Sequence, residues 1–188
     1  MAPLTLDGGL GKYRISADPY NFIVKQQGIG KESDKPYYYR KLEQLLNDYP
    51  DIRENVPDLL KALEAIRKET NRLGEACVSR FGLVEKGTSV PLTFHGSLGE
   101  CRIRADRYEY AFEQRFTSKT TGKSYGREIG YFGKIEHLLN HYADILIRKK
   151  INSSDLLKEI AAIREECKRL GEACVSRFGF VEKGAKSK

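Results

Sequence analysis

Nowhere in this 188-residue chain does an apolar run approach the ~20 residues needed to cross a bilayer, so no membrane partner is expected. Its start, MAPLTLDGG, lacks the basic opening and apolar centre of a secretory leader, so a cytoplasmic location is expected. Cysteine is scarce, at four residues. Cys77 and Cys174 fall at matching places on apolar helical faces, where a thiol behaves as a small hydrophobe. Cys167 and Cys174 stand two helical turns (~10 Å) apart, too far for a direct bridge or a shared zinc. Reduced core cysteines are expected. Histidine numbers three. His137 and His141 have the i, i+4 spacing that two zinc ligands use, but no cysteine or carboxylate completes the set and His137 falls on the solvent side of its helix. No P-loop, GxSxG, HExxH or dinucleotide fingerprint occurs, and the glycines of 8–11 and 28–30 lack a strand–helix setting. Neither an enzyme nor a cofactor or metal is expected.

What the chain does contain is a long repeat. RLGEACVSRFGLVEKG at 72–87 returns as RLGEACVSRFGFVEKG at 169–184, identical at 15 of 16 positions. Weaker matches extend backward: Pro3-Leu4-Thr5 to Pro91-Leu92-Thr93, and Ile15, Ala17, Asp18 and Tyr20 to Ile103, Ala105, Asp106 and Tyr108. A tandem duplication of a unit of roughly 85–95 residues follows, too long a period for a solenoid. The first repeat is placed at 1–87 and the second at 88–188, with a linker near 86–91.

Within each repeat the periodicity changes from two to 3.6. Tyr20, Phe22 and Val24, and then Tyr108, Tyr110 and Phe112, alternate as strands with an aromatic inner face. A polar turn and another strand lead into a helix built on Leu42, Leu45, Leu46 and Tyr49, or Ile135, Leu138, Leu139 and Tyr142. Tyr49-Pro50 ends the first of these early. A longer helix follows, with Asn55 as its cap, Pro57 and Asp58 in its first turn, and Gly82 or Gly179 as its stop. The expected architecture is α+β, two β-β-β-α-α units in pseudo-twofold arrangement.

The polar face of the long helix is unchanged between copies: Arg72, Glu75 and Arg80 return as Arg169, Glu172 and Arg177. Elsewhere exposed positions drift, with 7 of 16 matches between 10–25 and 98–113, where Lys12 meets Glu100 and Lys25 meets Glu113. Either the two copies pack on each other, with Gly74 and Gly171 allowing close approach, or both present one surface to a repeated partner. Recent duplication is the third reading.

Net charge is +7, of which residues 3–87 contribute +1, residues 91–184 contribute +4 and Lys186 and Lys188 the rest. Arg102, Arg104, Arg107, Arg115, Lys119, Lys123, Arg127 and Lys134 gather on the second hairpin around Tyr125, a composition suited to single-stranded nucleic acid. Acidic Glu100, Asp106, Glu109, Glu113 and Glu128 dilute it to +3.

The strand, KTTGK turn, strand and GYFGKIEHLLNHY run over 103–165 resembles small uncharacterised phage and prophage proteins in which a hairpin precedes an amphipathic helix. The resemblance implies a host-cytoplasm accessory protein that occupies a host macromolecule, including nuclease defence complexes. The expectation is therefore a non-enzymatic binder of a host or phage protein or nucleoprotein, with nucleic-acid binding through the second hairpin as the alternative. Self-association stays open.

Overall fold

The protein, seen in a computed structural model, is described over residues 4–8, 11–27, 35–76, 91–105, 108–118 and 120–178. Over the described residues it is an α+β chain of two antiparallel four-stranded sheets and five helices. The first sheet is a meander of β1 (Leu4–Gly8), β2 (Gly11–Ala17), β3 (Phe22–Gln27) and β4 (Tyr37–Tyr39). Helices α1 (Leu42–Asp48), α2 (Pro50–Asn55) and α3 (Pro57–Ala76) follow. The second sheet repeats the order with β5 (Leu92–Gly96), β6 (Gly99–Ala105), β7 (Tyr110–Thr117) and β8 (Ser124–Phe132), before α4 (Ile135–Lys150) and α5 (Leu156–Phe178).

Each meander has four strands where three were expected. The first strand of each, β1 and β5, spans five residues. In the second sheet Gly96 pairs with Gly99 around Ser97 and Leu98, and Gly99 takes φ 85°, which a side chain would oppose. Gly8 pairs with Gly11 across β1 and β2. The two hairpins share one register: Leu4 opposes Ile15 as Leu92 opposes Ile103.

Alternation places Tyr13, Ile15, Phe22 and Val24 in the first core and Cys101, Ile103, Tyr110 and Phe112 in the second. Tyr20 and Tyr108, read as inward strand positions, instead precede β3 and β7 and are 69% and 71% exposed. Asp18 explains the first case. Its carboxylate accepts the N–H groups of Tyr20 (2.7 Å) and Asn21 (2.6 Å), making a turn there. These bonds hold its carboxyl below the usual range.

Tyr49-Pro50 does end α1, and Pro50 opens α2 at its first turn. Asn55, expected to cap α3, closes α2 instead; Val56 separates the two helices, and its carbonyl accepts from Leu59 and Leu60. α5 has a side-chain cap, with Asp155 Oδ1 accepting the Lys158 N–H at 3.1 Å. The apolar stripes bury Leu59, Leu63, Ile66 and Leu73 on α3, and Ile160, Ile163, Cys167, Leu170 and Cys174 on α5. Cys101, Cys167 and Cys174 are free and buried. Cys77, Gly82, Gly179 and most of the 86–91 linker lie outside the described residues.

By internal contact the chain divides into two compact units, 1–68 with 141–165 and 69–140 with 166–188. Each unit thus takes its sheet from one repeat and helical segments from both. Among the described residues no helix is long and apolar enough to cross a membrane.

Candidate functional site

Both described portions of the repeated segment belong to the unit formed by 69–140 and 166–188. There Leu73, Gly74, Leu170, Gly171 and Cys174 are buried, while Arg72, Glu75, Arg169, Glu172 and Arg177 are exposed. The two glycines have different neighbours. A methyl group added at Gly171 would lie 2.5 Å from Leu73, so α5 meets α3 there without room for a side chain. One added at Gly74 would run into the Cβ of Glu136 on α4. Arg72 bonds Glu69 one turn back (2.7 and 3.2 Å), and these bonds, with attraction from Glu172, raise its pKa. Phe178 packs edge-on against Tyr110 at 5.8 Å. Arg80 lies outside the described residues.

The basic residues of the second hairpin do not form one surface. Residues directly opposite in an antiparallel pair share a face, and the register therefore sorts them. Arg102 opposes Glu113, Arg104 opposes Ala111 and Arg115 opposes Gly126, which sets these three arginines on the outer face. Tyr125 opposes Phe116 and Arg127 opposes Gln114, which sets them on the other. A register shift beside Phe112 and Glu113 brings Glu128 opposite Glu113, and Arg104 pairs with both, at 3.8 Å to Glu128. Arg115 reaches Glu100 at 3.6 Å. Three arginines thus share the outer face with three glutamates and leave it neutral. The Tyr125 ring stacks on Phe116 at 5.6 Å, and Lys123 is exposed at the turn. Arg107 and Lys119 lie outside the described residues.

A group that sequence reading missed sits in the unit formed by 1–68 and 141–165. Arg67 of α3 bonds Glu43 of α1 at 2.7 Å and also pairs with Asp144 of α4. Burial works against the Arg67 charge, but its two carboxylate partners outweigh it and raise its pKa. Burial likewise pushes Asp144 up, and Arg67 only partly offsets this. Arg148 of α4 lies over the Phe22 ring at 5.9 Å and donates to the Arg40 carbonyl at 3.1 Å. Burial lowers its pKa. No local motif announces this network, because its members come from three helices.

In the other unit, the backbone N–H and hydroxyl of Ser97 both donate to buried Glu166, at 2.7 and 2.5 Å, pinning the β5–β6 turn onto α5. His137 is exposed beside Glu136, whereas burial and Arg148 lower the pKa of His141. Among the described residues no three histidine, cysteine or acidic side chains gather as metal ligands would.

The first sheet carries a charge pattern that was visible only as a pairwise difference in sequence. Lys12, Arg14 and Lys25 are exposed, and the register puts Arg14 directly opposite Lys25. Compared with known protein families, curated proteins and solved structures, the chain finds no match in any of the three.

Proposed function

We propose that this chain is a non-enzymatic binding protein that acts by occupying another macromolecule through the exposed rim of α3 and α5. The observation that carries this is the division of labour within the repeated segment. Its apolar and glycine positions are consumed by packing, while Arg72, Glu75, Arg169 and Glu172 remain exposed on helices that meet at Leu73 and Gly171. Internal packing accounts for the repeated apolar positions; of the polar ones it gives Arg72 an attraction to Glu172 and leaves all four exposed. Two copies of one polar pattern in one unit suit a partner with a repeated epitope.

Under this reading the chain arose by tandem duplication with pseudo-twofold symmetry, which the shared register of the two hairpins supports. The partner is a protein of a phage or its host, or a nucleoprotein such as a defence complex, met in the host cytoplasm. The mobile-element origin rests on the hairpin–helix resemblance of 103–165 alone. Nucleic-acid binding through the second hairpin has less support, since ion pairs neutralise its outer face.

The test is Arg72→Glu combined with Arg169→Glu in the tagged full chain, used to capture partners from bacterial lysate with and without nuclease. Expected is loss of a nuclease-resistant partner with only a small drop in melting, since both side chains are exposed and a surface pair such as Arg72–Glu69 is worth about 0.3–0.5 kcal/mol. Retained capture overturns the assignment to this rim.

A further inference from the structure

We propose that the outer face of the first sheet, Lys12, Arg14 and Lys25 with Tyr38, binds single-stranded nucleic acid. It lies on the unit formed by 1–68 and 141–165 and is independent of the α3/α5 rim.

Because the hairpins share a register, equivalent positions of the two sheets can be compared directly. Lys12, Arg14 and Lys25 correspond to Glu100, Arg102 and Glu113. Two of three charges are reversed. In the second sheet Arg102 faces Glu113, an opposite-charge juxtaposition in which the ion pair of Glu113 is made by Arg104. In the first, Arg14 faces Lys25, and like charges placed directly opposite destabilise a sheet. Lys12 lies two residues from Arg14 on the same face. Asp7 stands opposite Lys12 in the strand register. No ion pair engages Lys12, Arg14 or Lys25 among the described residues. A face that met only water would gain nothing from this arrangement, whereas a polyanion relieves it.

Tyr38 makes the choice among polyanions. It opposes Ile23, one row along from the Arg14–Lys25 pair, and is 59% exposed. Its counterpart in the second sheet, Tyr131, donates its hydroxyl to Glu128 at 2.5 Å. A tyrosine ring among cations on an open sheet suits phosphates paired with Lys and Arg while an unstacked base lies on the ring. A duplex keeps its bases covered, and an acidic protein offers no base to stack.

Fluorescence anisotropy of a labelled dT 20-mer with the full chain provides the test. Three phosphate contacts on a single strand give a log–log salt slope of about −2, so affinity should fall about 20-fold between 50 and 200 mM salt. Lys12→Glu with Lys25→Glu, which installs the second sheet's residues, should reduce affinity at least tenfold, and Tyr38→Ala about fivefold or more. Melting of each variant reports whether it is folded; if the double glutamate variant is not, the double glutamine variant is read in its place. The proposal is overturned by absence of binding at 50 mM salt, or by binding that these variants retain. It is equally overturned if a duplex binds as well, or if polyglutamate displaces the probe as effectively as unlabelled dT.

Discussion

Removing the Arg67 side chain leaves Asp144 and Glu43 as neighbouring carboxylates, Asp144 being almost fully buried. Loss of one partner from such a pair typically costs about 3–5 kcal/mol. Arg67→Met should therefore lower urea-unfolding stability by about that amount at neutral pH. The deficit should shrink as the pH falls. Asp144 has a raised pKa in the folded protein, so its penalty is complete above that pKa and fades as protonation removes the charge. A deficit that stays constant from pH 7 to pH 5 would contradict this. Gly171→Ala tests the packing of α5 on α3. Overpacking costs about 1–3 kcal/mol, against about 1 kcal/mol that alanine gains over glycine in helix propensity. A lower melting temperature is expected, and a higher one would mean that Leu73 can move aside.

Among the elements, β2 and β3 make the sharpest prediction. Lys25→Glu converts the Arg14–Lys25 opposition into an opposite-charge juxtaposition like that of Arg102 and Glu113. Stability should rise by about 0.2–1 kcal/mol, measured by chemical denaturation. The same replacement is expected to weaken nucleic-acid binding, so stability and binding should move in opposite directions. At the start of α5, Asp155→Ala removes the bond to the Lys158 N–H and should cost about 0.5–2 kcal/mol, while Asp155→Asn should lose little.

For the whole molecule, the composition of the two compact units matters most. The unit that holds the first sheet includes 141–165, and the unit that holds the second includes 69–76. Expressed separately, 1–88 and 89–188 would each lack helical segments that complete their cores. Neither half should show a cooperative thermal transition alone, and mixing them should restore one. Two cooperative, non-interacting halves would contradict this partition.

Local physics alone determined much of this protein. Alternation marked β3 and β7, a 3.6-residue period marked α3, α4 and α5, and Tyr49-Pro50 marked the end of α1. Each of these signals lies within a few residues of the backbone it controls. The repeated segment was equally legible, as was the burial of Cys174 and Leu170. Tertiary structure decided the rest. The strands β1 and β5 exist because β2 and β6 pair with them along five residues each. Register divided the basic hairpin between two faces and matched Arg104 and Arg115 with glutamates. Helix packing brought Asp144 to Arg67 across 77 residues and gave Gly74 and Gly171 different neighbours. Propensity and periodicity act along the chain, whereas which charges meet depends on strand register and helix packing, and these are set only once distant segments bury their apolar faces together.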